Sequence, residues 1–295
     1  MRNRERTTPW ENTVIVVTGA TGQLGRLVVE GLLATVPASE VAVAVRSAEK
    51  AADWAARGVT VREVDYDRPE TLATAFAAGD RVLLISSNVI GSRTPQHRAV
   101  VEAAQAAGVA LLAYTSILGS ATFGLADEHH ETEAIVRDSG LPYTLLRNGW
   151  YTENYTAHAA GAVERGAVVG SSHGGRVATA ARADYAAAAV AVLTGEGHEG
   201  RVYELSGDVA WSQDEYAAEL AAQSGRPVAH QDLSPEEYHA VLVSTGMPAP
   251  FADVFVAVEA GIERGELAGT SGELARLIGR PTTPLADTVK AALAS

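Results

Sequence analysis

The residues best placed to do chemistry are Thr18-Gly19-Ala20-Thr21-Gly22-Gln23-Leu24-Gly25, which follow the β-branched run 13–18 (TVIVVT) and open a helical pattern over 23–35. Glycine at such a turn permits backbone angles that other residues avoid. A backbone stripped of side chains lets a pyrophosphate approach the start of the next helix, where free amides and the helix dipole favour negative charge. The third glycine allows close helix–strand packing. The spacing is G-x-x-G-x-x-G rather than G-x-G-x-x-G. The strand–turn–helix setting, more than the string itself, points to dinucleotide binding.

The end of the second expected strand selects the dinucleotide. An acid about 20 residues past the glycines usually bonds the ribose hydroxyls of NAD. Here that place reads Val45-Arg46-Ser47, with no acid. Arg46 can pair with a 2′-phosphate through its planar fork, which favours NADPH over NADH. The other reading of Arg46 is a solvated surface arginine. Asp65 and Tyr66 end the third strand, where an adenine is flanked. Ser86, Ser87 and Asn88 end the fourth, at the carboxyl edge where ligands bind in such sheets.

Another set of residues suits the reacting end of the cofactor. Thr115 and Ser116 end the fifth strand. Asn148, Trp150 and Tyr151 follow the sixth, with Asn154 a turn further. Asn148 can bond a carboxamide or an acceptor oxygen, and Trp150 or Tyr151 can wall a flat ring. Trp150 can equally pack a domain junction. His129 and His130 can donate protons near neutrality or simply solvate a helix face. His97 is either structural or close to the cofactor. The eight histidines show no metal-ligand spacing, and there is no G-x-S-x-G elbow.

These groups need a scaffold, and the pattern supplies one. Apolar strands at 13–18, 41–45, 59–64, 82–86, 109–115 and 141–146 alternate with helical stretches at 23–35, 47–57, 69–77, 95–107 and 127–139. Continuously apolar strands that alternate with helices mean a parallel sheet covered on both faces. The expected fold is therefore α/β, a Rossmann-like doubly wound parallel sheet with a smaller, mostly helical C-terminal domain. Helices are expected at 150–165, 182–193, 212–223, 234–245, 250–264, 271–278 and 284–294, with a late strand at 201–205. The expected division is interleaved. Residues 13–150 with roughly 176–206 bind the cofactor, and roughly 151–175 with 207–295 bind the substrate. Residues 1–12 read as a polar, disordered extension.

Composition excludes several functions. The chain has 295 residues and a formal net charge of −13, which argues against a dedicated nucleic-acid binder. It has no cysteine, so disulfides, thiolate nucleophiles and cysteine-held metals are excluded. No run reaches the roughly 18 apolar residues of a membrane span. A cytoplasmic protein is expected, as a monomer or a homodimer.

The glycine spacing, the Leu83-Leu84-Ile85-Ser86-Ser87 run and Tyr114-Thr115-Ser116 resemble the short-chain dehydrogenase/reductase superfamily. Most of its enzymes carry a Tyr-x-x-x-Lys pair. Lys50 and Lys290 are the only lysines here, and neither follows a tyrosine by four. Tyr143 and Arg147 have that spacing, but along an expected strand. His130 or its neighbours stand where the lysine would.

The chain therefore resembles the atypical, NmrA-like branch, close to its bacterial NAD(P)H:quinone oxidoreductases. The likeness rests on Pro95-Gln96-His97-Arg98, Leu125-Ala126-Asp127-Glu128-His129, Arg147 to Tyr155 (RNGWYTENY), Arg182-Ala183-Asp184-Tyr185-Ala186 and Ile278-Gly279-Arg280-Pro281. It covers nearly the whole chain after residue 13. It implies a two-domain reductase that binds NADPH in a cleft and reduces a small-molecule quinone. A related branch reduces triphenylmethane dyes. The remaining readings are a non-catalytic dinucleotide sensor and a reductase of an imine, dye or phenolic substrate.

Overall fold

The structure, a computed structural model, describes residues 13–119, 121–122 and 125–294. The expected extension 1–12 lies outside the described residues. The strands run β1 (Ile15–Thr18), β2 (Val41–Val45), β3 (Thr60–Glu63), β4 (Arg81–Leu84), β5 (Leu111–Ile117) and β6 (Tyr143–Asn148). They continue as β7 (Ala167–Gly170), β8 (Arg176–Val177), β9 (Arg201–Leu205), β10 (Trp211–Ser212) and β11 (Ala229–Asp232).

Seven of them form one sheet in the order β3-β2-β1-β4-β5-β6-β9. The pairs β1–β2, β2–β3, β1–β4 and β4–β5 are parallel. Gly200 N–H donates to Tyr143 O and Gly149 N–H to Leu205 O, a step in the same sense along both chains, as a parallel β6–β9 pair requires. This is the doubly wound α/β plan expected from the alternating runs. Strands β1, β2 and β4 are buried at every position. Strand order reverses between β1 and β4. At such a switch point the two crossovers leave in opposite directions and open a crevice at the carboxyl edge.

The chain divides into two compact units. The first holds the described residues up to Thr115, with Thr132–Leu145 and Val192–Arg201. Its edge is pinned by Arg81, 2% exposed, whose Nη2 donates to Val192 O and Gly195 O, both at 2.9 Å. The second holds Ser116–Glu131, Leu146–Ala191 and the chain from Val202 onward. Its core gathers Ile117, Leu118, Val168, Trp211, Tyr216, Leu220, Val258 and Ile262.

Several elements differ from the sequence expectation. The 47–57 stretch is a 3-10 turn, Ala48–Ala51, followed by a short α-helix, Ala52–Ala56. The 69–77 stretch is a 3-10 helix, Pro69–Thr74. The expected helix 150–165 is broken into Glu153–Thr156 and Ala159–Arg165. Tyr151 instead bridges Ala180, and Thr152 N–H donates to Ala180 O at 3.0 Å. Those backbone groups are bonded across the unit rather than along a helix. The ladders β8–β10 and β7–β11 were not foreseen. They are two and four residues long, too short for a period-two signal.

One carboxyl is enclosed in the second unit. Glu259, on the helix Ala249–Glu263, is 3% exposed. Its Oε2 accepts from Ser171 N–H at 3.2 Å and from Gln213 Nε2 at 2.7 Å. Burial pushes its pKa up to about 7, the bonds from Ser171 and Gln213 hold it down, and the Asp232 carboxylate adds to the rise. The folded state therefore holds a proton that the unfolded chain releases at lower pH, so this contribution is present at acid pH and fades as pH rises toward and through 7. Denaturant titrations should show wild-type stability losing a component of roughly 3 kcal/mol between about pH 5 and 8 that Glu259→Gln lacks. Parallel pH profiles for the two proteins would contradict this.

Candidate functional site

The turn after β1 is shaped by three glycines with different duties. Gly19 has φ +59°, a left-handed angle that side chains resist. A Cβ on Gly22 would sit 3.2 Å from Gly19 O. A Cβ on Gly25 would overlap Gly19 O and lie 2.7 Å from Ala20 Cα. The backbone folds tightly on itself here: Gly22 N–H donates to Gly19 O and Arg26 N–H to Gly22 O, both at 3.0 Å. The helix that follows, Gln23–Leu33, carries no side-chain cap and no acid in its first turn. Its first amides are left for an outside acceptor, as an anion site needs.

The neighbouring strand ends are tied together by hydroxyls. Thr18 Oγ1 accepts from Ile85 N–H at 3.1 Å, and Thr115 Oγ1 accepts from Ser86 N–H at 2.9 Å. Ser87 N–H donates to His97 Nε2 at 2.9 Å, and His97 Nδ1 meets Thr132 Oγ1 at 3.0 Å. An accepting Nε2 places the ring proton on Nδ1, which then donates to Thr132. Arg93 Nε donates to Ser87 O at 2.6 Å. The segment Ser86-Ser87-Asn88 is thus held from behind, with Asn88 exposed.

Of the two readings of His97, the geometry shows the structural one, next to the segment expected to meet the cofactor. Sequence reasoning flagged Pro95-Gln96-His97-Arg98 only through its family resemblance. Spacing gave no hint of Thr132 or Arg93.

Arg46 follows β2 and is exposed. Among the described residues no carboxylate pairs with it. Its charge acts on Tyr66, whose buried hydroxyl has no hydrogen-bond partner among the described residues. Burial pushes that phenol up to about 12, against the pull of Thr18 and Arg46. The Asp65 carboxylate accepts from Asp67 N–H at 3.1 Å and so shapes its own turn. A bare glycine turn, an unpaired guanidinium and an orphaned buried hydroxyl, all in the first unit, suit a dinucleotide with a phosphate on its ribose.

In the second unit, Asn148 is buried at the end of β6 and its Oδ1 has no partner among the described residues. Its carboxamide lies beside the Tyr151 hydroxyl, where it favours the phenolate against the rise that burial causes. The Tyr151 ring lies 5.2 Å from that of Tyr185, edge to face, and 4.9 Å from the Arg182 guanidinium. Asn154 Oδ1 accepts from Arg182 Nη2 at 3.1 Å. Trp150 meets Phe255 edge to face at 6.1 Å and packs on the core of the unit. Arg182 and Tyr185 were legible only as part of a resembling string. Ser116 and His129 are buried, and His130 is exposed. Among the described residues no group of His, Asp and Glu is arranged to hold a metal ion, and no helix is long and apolar enough to cross a membrane.

The sequence profile of a family described as NAD(P)H-binding matches residues 19–196. The chain belongs to that family. Its likeness to the NmrA-like, atypical short-chain branch, read first from the sequence, holds with it. Quinone oxidoreductase 2 of Escherichia coli is 51% identical over 94% of this chain and 97% of its own length. A crystal structure of an NADPH-dependent quinone oxidoreductase from E. coli, complexed with NADPH, superimposes with a TM-score of 0.92 at 50% identity, covering 95% of this chain and all of that one. The Citrobacter sp. triphenylmethane reductase complexed with NADP(H) gives a TM-score of 0.90 at 43% identity, over 94% of this chain and 99% of that one.

Burial holds the His97 ring well below its ordinary range, at about 3, helped by the Arg93 charge. The ring should stay neutral in histidine NMR titrations from pH 5 to 8. His97→Ala removes the acceptor for Ser87 N–H and should cost about 1–3 kcal/mol of stability in denaturant melts. A His97 resonance titrating near pH 6.5 would contradict the assigned bond.

Proposed function

We infer that the chain is an NADPH-dependent reductase that passes hydride to a quinone or a similarly flat acceptor. The observation that carries the reading is the 51% identity, over nearly full length, to E. coli quinone oxidoreductase 2. NADPH, when bound, supplies the hydride. The chain's residues bind, orient and exclude.

The Gly19–Gly25 turn and the amides of Gln23 and Leu24 receive the pyrophosphate. Arg46 pairs with the 2′-phosphate, and Asp65 and Tyr66 flank the adenine. Ser86, Ser87, Asn88 and Thr115 line the way to the nicotinamide. Asn148 meets the carboxamide or the acceptor oxygen through its orphaned Oδ1 or its amide, with Tyr151 and Trp150 beside the flat ring.

A quinone is already a strong hydride acceptor, so no Tyr-x-x-x-Lys pair is required. Holding the acceptor at about 3–3.5 Å from the reacting carbon is the main task. The second reading, a dye reductase on the same scaffold, is favoured by the 43% identity to the triphenylmethane reductase. We take the setting to be cytoplasmic, in keeping with the acidic charge balance.

Purified protein should oxidise NADPH on addition of a simple benzoquinone, faster than NADH, once the uncatalysed rate is subtracted. Tight NADP binding without turnover of quinones or dyes would move the assignment to a dinucleotide sensor. In a separate test, Arg46→Asp should weaken NADPH binding at least tenfold, about 1.4 kcal/mol, as read by nicotinamide fluorescence. Unchanged affinity would leave Arg46 a surface residue.

A further inference from the structure

Hydride transfer leaves a quinone one proton short, and the second unit holds a phenol arranged to supply it. The Asn148 carboxamide lies beside the Tyr151 hydroxyl and favours its phenolate, and Asn148 Oδ1 has no partner among the described residues. A phenol O–H with no protein acceptor is left to donate to an outside one. Among the described residues the Tyr151 hydroxyl donates to none. The ring is fixed on two sides, by Tyr185 edge-on at 5.2 Å and by the Arg182 guanidinium at 4.9 Å.

Arg182 is itself held. Its backbone N–H donates to both oxygens of Glu153, at 2.9 and 3.1 Å, and its Nη2 to Asn154 Oδ1. Burial keeps Tyr151 protonated, while Asn148 and Arg182 both favour the phenolate that donation would leave.

We propose that Tyr151 is the proton donor in quinone reduction, and that Arg182 is the positioning residue that holds its ring and steadies its phenolate. The proposal rests on the reductase reading above. As hydride from NADPH reaches the quinone and leaves NADP+, the Tyr151 O–H bond breaks in the same transition state, and the proton forms a new O–H bond on the oxygen that takes up the negative charge. Tyr151 remains as phenolate beside Arg182 and Asn148 and is reprotonated from solvent. Donor and product are both phenols, so the transfer runs close to thermoneutral.

Steady-state kinetics with a benzoquinone in light and heavy water test this. The wild type should show a solvent deuterium isotope effect on kcat. Tyr151→Phe keeps the ring contacts and loses the proton, so kcat should fall about 100-fold, the low end for general acid catalysis. Arg182→Met should lower kcat about tenfold with little change in KM, and Arg182→Lys should restore most of it; the factor of ten is one pKa unit of donor tuning, about 1.4 kcal/mol. A cationic triarylmethane dye takes hydride at carbon and needs no proton. The ratio of quinone to dye kcat/KM should therefore fall in Tyr151→Phe by the same two orders, which a general loss of fold would not produce. Wild-type kcat and isotope effect in Tyr151→Phe would overturn the proposal and leave the reductase reading intact. A wild type that reduces no quinone would overturn the reductase reading itself.

Discussion

Close approach of bare backbone at the end of β1 is the constraint on which the first unit depends. Gly25 has no room for a Cβ against Gly19 O and Ala20. This brings the helix Gln23–Leu33 hard against the strand it follows. The helix start is then aimed at the carboxyl edge of the sheet, beside the reversal of strand order between β1 and β4. A larger residue there would push the helix away from the strand. The uncapped first turn follows from the same logic, since a capping side chain would compete for the amides.

The rest of the unit stiffens that edge. Thr18 and Thr115 each bond the backbone of the segment after β4, and His97 bonds it from the helix behind. A neutral buried imidazole suits the task, because it can accept from one backbone amide and donate to a hydroxyl at once. These bonds lock the carboxyl end of β4 to β1, β5 and the His97 side chain. Arg46 is the contrasting case, an exposed cation with no carboxylate partner among the described residues.

The sheet and the glycine turn were legible because their signals are local. Residues 41–45 and 201–205 were placed at the observed bounds, the first as a continuous apolar run and the second as a short stretch set off by Gly200 and Gly207. The helix break at Tyr151 was not legible, since it depends on Ala180, distant in sequence. Neither were β8 and β10, which exist only as partners of one another. At the site, the glycines, Arg46 and the ends of β4 and β5 could be named from position alone. Thr132, Arg93 and Arg182 act through contacts that no spacing encodes. Asn148 and Tyr151 were named as ring-lining residues. The contacts of the Tyr151 ring with Tyr185 and Arg182 emerged only from the structure.

On the proposed function, the bare turn at the β1–β4 switch point receives a 2′-phosphorylated dinucleotide. Amide hydrogen exchange with and without saturating NADPH tests it most directly. Slowed exchange is expected in peptides covering 18–26, 45–47 and 86–88, with a weaker effect of NADH around Arg46. Exchange in those three segments that is unchanged by saturating NADPH would contradict it.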